Sequence, residues 1–125
     1  LQPDPKWYYP PHSHPHHELI FVLSGRLTVR TQEGEETATS GDVLLYRSGL
    51  RHEEFADSAK PVHSLFIGFY HSFPTTPPLK LHDSAGRIRQ LLQWMRDLRL
   101  DETKLAVRQK SLWFFFIFAF FSLFL

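Results

Sequence analysis

The chain has 125 residues, 42% of them hydrophobic, a formal net charge of +1 and no cysteine. This length and composition fit one compact domain with a real core, and they exclude disulfide frameworks and thiolate metal sites. The near-neutral charge gives the chain as a whole no attraction to nucleic acid or anionic membranes.

The first 80 residues show short apolar runs between turn signals, with no helical pattern between them. This pattern is typical of an antiparallel sandwich or barrel. We predict strands at residues 19–23, 26–31, 43–46 and 62–70, and polar or glycine-containing breaks at residues 24–25, 32–35, 40–42 and 48–49.

The second part of the chain changes to a helical pattern after the proline-rich connector at residues 74–78. From Ser84 onward, apolar residues recur at helical spacing, and Asp83 or Ser84 is the expected N-cap. A second helix is predicted to begin at residues 101–103, where acidic residues favour a first turn. We therefore expect a β-barrel with an N-terminal arm at residues 1–78 and a helical pair at residues 79–125. Its candidate dimerisation residues are Leu91, Met95, Leu98, Trp113, Phe116 and Phe120.

The C-terminal run at residues 112–125, LWFFFIFAFFSLFL, contains Ser122 as its only polar residue. It is shorter than the about 20 apolar residues that a membrane span needs. We expect a helix buried by other protein and no membrane partner, with a membrane-associated or truncated hydrophobic segment as the alternative. The opening residues do not form a signal peptide, and with the lack of cysteine this predicts a cytoplasmic protein.

The stretch HSHPHHE at residues 12–18 places four of the eight histidines within six residues, directly before a carboxylate. In an extended chain, residues two apart point to the same face, so His12, His14 and Glu18 share a face. His17 should point away, and the turn implied by Pro15 leaves His16 undecided. Two imidazoles and a carboxylate on one face suit a divalent first-row metal, and His52 is a candidate fourth ligand. Internal breaks at Ser13 and Pro15 argue against a purification tag.

The spacing from His12 to Gly25, His-x-His followed by Glu18 and then the glycine, resembles the first sequence motif of the cupins. Residues 41–52, GDVLLYRSGLRH, resemble their second motif. The resemblance implies a double-stranded β-helix, a small jelly-roll barrel, followed here by two C-terminal helices. It also implies that His12, His14, Glu18 and His52 hold one divalent transition metal per chain, such as Zn, Ni, Fe or Mn. Lys6, Arg47 and Ala56 depart from the motif residues, which affects loop geometry more than ligation.

The sequences that contain these motifs, HHELIFVLSGRLTV and GDVLLYRSGLRHEE, are similar to the sensor domains of AraC-family transcription regulators. This resemblance implies a small-molecule effector inside the barrel, a homodimer formed through the helices, and DNA contact only through a domain that is not in this chain. The effector would be a sugar or an aromatic compound. The tentative ligand-binding residues are Trp7, Tyr8, Tyr46, Glu54 and His63.

Two other functions stay open on the sequence. A small metal-dependent cupin enzyme, such as a dioxygenase or isomerase, is the alternative that the intact set of four ligands supports, although the sequence assigns no catalytic residue. The histidine cluster could also act as a pH switch, because histidine titrates near neutral pH.

Overall fold

The computed structural model describes residues 7–56 and 60–99 and contains eight strands and one helix in that part of the chain. The strands are β1 (Trp7–His12), β2 (His17–Ser24), β3 (Leu27–Thr31), β4 (Gly34–Ala38), β5 (Asp42–Tyr46), β6 (His52–Ala56), β7 (His63–Phe69) and β8 (Lys80–His82). The helix α1 spans Arg87–Arg99. The second predicted helix and the apolar run at residues 112–125 lie outside the described residues.

The strands form two antiparallel four-stranded sheets, in the orders β1-β6-β3-β4 and β7-β2-β5-β8. All of the predicted strands are present, since β2, β3, β5 and β7 overlap them closely. Strands β1, β4, β6 and β8 were not assigned from the sequence. The architecture is mainly β, as predicted.

A shared core joins the inner faces of the two sheets. It contains buried apolar residues from both sheets, namely Ile20, Val22, Leu44 and Tyr46 from one and Leu27, Val29 and Ala38 from the other. Residues of the opposite parity in β2 are buried as well, since Leu19 and Phe21 are 0% and 2% exposed. The run LIFVL is apolar throughout because both faces of this strand avoid water.

Two units divide the described chain after His82, so β8 belongs to the first unit through its pairing with β5. The expected boundary between residues 78 and 79 therefore lies four residues before this division. Strand β8 could not be predicted from the sequence, because its three residues, Lys80–His82, are too few to show an alternating pattern.

The helix of the second unit begins at Arg87, later than the sequence predicts. Asp83 nevertheless caps this helix, because its carboxylate accepts a hydrogen bond from the Arg89 backbone amide at 3.1 Å. This contact satisfies one of the amides that an α-helix leaves without a partner in its first turn. Ile88, Leu91 and Leu92 are buried, as the apolar spacing predicts. Within the described residues, no helix has the length and apolar character to cross a membrane.

Candidate metal centre and ligand cavity

Three histidines from separate segments of the first unit meet inside the barrel. His12 ends β1, His52 begins β6, and the two are direct partners across the β1–β6 ladder. His14 lies in the connection to β2, and its ring centroid is 5.9 Å from that of His12 and 5.2 Å from that of His52. Each residue offers a ring nitrogen, and the three nitrogens lie within 4.8 Å of one another. Such a spacing suits ligands around one metal ion.

One nitrogen of each imidazole is fixed by the backbone two residues away. The Nδ1 atom of His12 donates to the Pro10 carbonyl at 2.9 Å, that of His14 to the His16 carbonyl at 2.7 Å, and that of His52 to the Leu50 carbonyl at 2.8 Å. A carbonyl acceptor requires a proton on Nδ1, so the Nε2 atom keeps a free lone pair. This is the outer hydrogen bond that metal-binding histidines usually make.

The Nε2 atoms of His14 and His52 are buried and make no hydrogen bond within the described part of the chain. The Nε2 atom of His14 lies 3.1 Å from a Glu18 carboxylate oxygen, but without hydrogen-bond geometry between them. Because buried polar atoms are rarely left without a partner, two facing acceptors at this distance suggest a cation between them. The residues present therefore fit a divalent metal ion.

The ligand group differs in detail from the predicted set of four. His14, His16 and Glu18 form a second group whose ligand atoms lie within 4.8 Å of one another, and His14 belongs to both groups. The ring of His16 stacks on that of His14, with a centroid distance of 4.1 Å and an interplanar angle of 8°. The structure thus divides the predicted set of four between two groups that share His14. His12 and His52 belong to one group, and Glu18 belongs to the other with His16, which the sequence left undecided.

Burial makes the His52 imidazole difficult to protonate. Its side chain is 1% exposed, and removal from water, reinforced by the neighbouring His12 and His14, lowers the pKa of His52 to about 4. A neutral imidazole is the form that binds a metal. This ligand therefore stays available well below the ordinary pKa of histidine.

A further carboxyl group, that of Glu54, lies in the wall of the same cavity. Burial raises the pKa of Glu54, and the Glu18 carboxylate adds to this effect. Burial also raises the pKa of the Tyr46 phenol, to which the Glu54 carboxylate contributes. The two side chains influence each other electrostatically, although the buried Tyr46 hydroxyl lacks hydrogen-bond geometry to any group in the described residues.

His17 has a different environment from its neighbours, and the prediction that it points away from the ligands agrees with its contacts. Its Nε2 atom donates to the His71 carbonyl at 2.6 Å, and its Nδ1 atom accepts from the Ser48 amide at 2.8 Å. Its ring packs against Phe69 and Phe73. The side chain is only 9% exposed, so pointing away here means burial against protein, not contact with solvent.

The loop before His52 is tied to the first histidine segment by several hydrogen bonds. Besides the Ser48 contact with His17, the Gly49 amide donates to the His14 carbonyl at 2.9 Å, and the Ser48 hydroxyl donates to the Pro15 carbonyl. Gly49 has a φ of +78°, in the left-handed region that favours glycine. Arg47, which departs from the motif proline, forms an ion pair with Glu33. These contacts connect the two sequence motifs in space.

Four of the candidate metal ligands, His12, His14, His16 and Glu18, line one part of a cavity of about 740 Å³. Strand register orders the layers along the barrel. The His12–His52 pair on one sheet is followed by the Tyr9–Glu54 pair, and Glu18 on the other sheet is followed by the Ile20–Phe66 pair. The remaining lining residues are Ser13, Leu27, Pro61, Val62 and Ser64. The cavity thus changes from polar at the metal layer to mainly apolar beyond it.

The tentative ligand-binding residues are spread over different places. Glu54 lines the cavity, and Tyr46 is buried beside it with its ring centroid 3.9 Å from that of His52. Tyr8 is 56% exposed and donates a hydrogen bond to Glu53. His63 is exposed at the start of β7 and is not among the described lining residues. Trp7 pairs with Ala56 through its backbone.

The lining residue Phe66 was not predicted from the sequence. It is the cross-strand neighbour of Ile20, and a pairing between strands so far apart in the chain leaves no local sequence signal. Of the candidate dimerisation residues, Leu91 is buried, Met95 is half-buried and Leu98 lies in α1. Trp113, Phe116 and Phe120 lie outside the described residues.

Comparison with known structures finds the same kind of barrel. AerE from Microcystis aeruginosa matches with a TM-score of 0.58 and 18% identity over 62% of this chain and 38% of its own length. YhaK from Escherichia coli matches with a TM-score of 0.54 and 24% identity over 66% of this chain and 40% of its own length. Oxalate decarboxylase from Bacillus subtilis matches with a TM-score of 0.45 and 22% identity over 53% of this chain and 19% of its own length.

The match therefore spans about two fifths of the length of AerE and YhaK, and these likenesses describe the fold alone. No curated protein sequence shows a significant match to the chain. The sequence profile of the Cupin domain matches residues 2–68, more than half of the 125 residues, and covers both histidine segments. With two antiparallel sheets and the histidine cluster inside them, the chain belongs to the cupin family.

Proposed function

We propose that this cupin domain binds one divalent transition metal ion and, through it, a small molecule in the adjoining cavity. The observation that carries the proposal is the set of three histidines whose Nδ1 atoms are fixed by backbone carbonyls. The three rings offer nitrogens within 4.8 Å of one another, and the Nε2 atom of His14 lies 3.1 Å from a Glu18 carboxylate oxygen. His12, His14 and His52 would hold the ion with Glu18 or His16. When bound, the ion would supply a Lewis-acidic position for an oxygen atom of the ligand.

Metal content tests this proposal directly. Purified, untagged protein that has been exposed to Zn²⁺ or Mn²⁺ should retain about one ion per chain by elemental analysis. His12→Ala should lose it, because one of three convergent nitrogens disappears. His82→Ala is the matched control, since His82 is exposed and pairs with Asp42 away from the cluster. Equal metal content in His12→Ala and the unaltered chain would contradict the proposal.

The biological role that we propose for this binding is effector sensing by a regulator of the AraC type. Support comes from the similarity of residues 16–29 and 41–54 to such sensor domains. A cavity of about 740 Å³ next to the metal layer also has the size of a small-molecule site. Dimerisation through the helical part and DNA contact through a further domain belong to this proposal.

The gene sequence downstream of Leu125 tests the regulator role. A continuous reading frame that encodes a helix-turn-helix domain would support sensing. A reading frame that ends there, or that continues into an unrelated domain, would contradict it. Sedimentation of the chain provides the second measurement, because the regulator role requires a dimer.

A metal-dependent enzyme is the second candidate, and Glu54 is the observation that favours it. This buried carboxyl group has a raised pKa and lies one layer from the metal ligands, where general acids and bases are often found. A metal-loaded chain that converts hydroxylated aromatic compounds, and loses this activity in Glu54→Gln while keeping its metal, would support an enzyme. Recovery of all compounds unchanged would contradict it.

A further inference from the structure

Among its described lining residues, the cavity has acidic side chains but no lysine or arginine. Glu18 and Glu54 contribute the carboxyl groups. Two arginines of the same unit line a different depression. Arg30 and Arg51 line a separate depression of about 210 Å³, and Arg30 pairs with Glu35 and Glu53. The cavity therefore lacks a side-chain partner for an anionic ligand in the part that the structure describes.

This charge distribution disfavours a ligand with a carboxylate or phosphate group. Such a group would have the bound metal as its only counter-charge, and Glu18 already shares that charge. Beyond the metal layer it would approach Glu54. Burying an anion without a cationic partner is costly, whereas an uncharged hydroxyl group can coordinate a metal through oxygen and donate a hydrogen bond to a carboxylate.

The apolar side chains of the cavity indicate the chemical nature of the part of the ligand that does not contact the metal. Ile20 and Leu27 are buried in the cavity wall, whereas Val62 is half-buried and Phe66 is 74% exposed. Tyr9 also lines the cavity and is 47% exposed. Tyr9 and Phe66 belong to β1 and β7, the edge strands of the two sheets. Aromatic side chains at the opening suit a flat aromatic body, because ring pairs gain stacking as well as apolar contact.

We infer that the cavity is selective for an uncharged hydroxylated aromatic compound. Its hydroxyl group lies at the metal layer beside Glu54, and its ring lies against Ile20 and Phe66. The inference rests on the proposed function, because the hydroxyl group needs a bound ion. Of the two expected effector classes, sugars and aromatic compounds, the inference favours the aromatic one, and it disfavours carboxylic acids.

A pair of compounds with the same ring and different charge tests the selectivity. Calorimetry at pH 7 with the zinc-loaded full chain should show that 2-naphthol binds at least tenfold more tightly than 2-naphthoate. Metal-free protein should bind 2-naphthol more weakly. Equal or tighter binding of 2-naphthoate, or binding of neither compound by the zinc-loaded chain, would overturn the inference. Failure to retain zinc would instead be a failure of the proposed function, so the two failures are distinguishable.

A charge introduced at the cavity opening tests the cause of the selectivity. Ser64→Arg places a guanidinium at an exposed lining position, and it should shift the preference at least tenfold towards 2-naphthoate. Ser72→Arg is the matched control, because Ser72 is exposed and is not among the described lining residues. It should leave the preference unchanged. An equal shift of the binding preference in both variants would mean that any added surface charge attracts 2-naphthoate, and this would contradict a role for charge inside the cavity. An unchanged preference in Ser64→Arg would contradict it as well.

Discussion

His14 and His17 are three residues apart in one histidine-rich stretch, yet their side chains have opposite environments. His14 has one nitrogen bound to the His16 carbonyl and the other buried without a hydrogen bond. His17 has both nitrogens bound, one to the His71 carbonyl and one to the Ser48 amide. A histidine with one free buried nitrogen needs a further partner, whereas a fully bonded histidine already acts as a structural link between loops.

The difference shows that composition alone does not identify a ligand. Four clustered histidines suggest four equivalent metal ligands, but alternation along the chain separates His17 from His14. The hydrogen bonds of each ring then give the two residues different functions. His14 should control metal affinity, and His17 should control stability.

The largest expected effect is on metal affinity. His14→Ala should weaken zinc binding about 100-fold or more, because it removes a ligand that belongs to both possible groups. His17→Ala should weaken binding about tenfold at most, since it only loosens the loop next to His52. Competition titration with a zinc-binding dye measures both values. A larger loss in His17→Ala than in His14→Ala would reverse the assignment.

The second prediction concerns the pH dependence of stability in metal-free protein. The pKa of His52 is about 4 in the folded chain, against about 6.5 in an unfolded one. Between these values the unfolded chain binds a proton that the folded chain does not, so acidification destabilises the fold. Protonation of His52 alone can lower the free energy of unfolding by at most about 3 kcal/mol. The full loss is reached only at pH values below the pKa of His52 in the folded chain.

Urea unfolding between pH 7 and pH 4 measures this dependence. The raised pKa of Glu54 acts in the opposite direction, because the folded chain keeps a proton on that carboxyl group at higher pH than the unfolded chain. The comparison is therefore made with His52→Leu, which retains Glu54. The difference between the two pH profiles isolates His52, and parallel profiles would contradict the prediction.

A third prediction concerns the stability of metal-free protein at neutral pH. His17→Ala should lower the free energy of unfolding by about 2–3 kcal/mol, because two hydrogen bonds and the packing on Phe69 and Phe73 are lost. His14→Ala should change it by less than about 1 kcal/mol, since that residue contributes one local hydrogen bond. Urea unfolding of both variants gives the values. Equal losses would remove the distinction between ligand and structural link.

The smallest predicted effect comes from Gly68, which leaves space for the His16 ring. A Cβ atom at this position would lie 2.9 Å from His16 Cδ2. Gly68→Ala should therefore displace His16 from its stack on His14 and reduce zinc affinity several-fold, with a stability change of about 1 kcal/mol or less. Ser64→Ala, on the same face of β7, is the control. Unchanged affinity in Gly68→Ala would show that His16 does not contribute to metal binding.

Much of the barrel could be predicted from sequence, and the exceptions have physical causes. Strands β2 and β5 are recognisable because their faces are buried and their sequences are apolar. Strand β4, with the sequence GEETA, lies at a sheet edge and buries only Ala38 fully. Its polar sequence resembles a turn. Strand β1 contains two prolines, which an edge strand tolerates but which weaken the usual strand pattern.

The candidate metal ligands could be predicted by alternation and family resemblance, but alternation holds only within one extended segment, and the predicted turn at Pro15 left His16 undecided. In the structure β1 ends at His12 and β2 begins at His17, with a register shift between Tyr9 and His12. The final positions of His14 and His16 therefore depend on the connecting turn and on hydrogen bonds to a loop more than 30 residues away. Such long-range contacts cannot be deduced from local spacing.

The position of His12 at the end of an edge strand gives a bound ion a mechanical consequence. Among the described strands, β1 pairs with β6 alone, so its end is expected to fray. An ion held by His12, His14 and His52 would cross-link β1 to β6, and coordination by Glu18 would also link it to the opposite sheet. We expect amides near His12 to exchange with deuterium more slowly in zinc-loaded protein. Equal exchange with and without zinc would mean that the ion does not fasten this edge of the barrel.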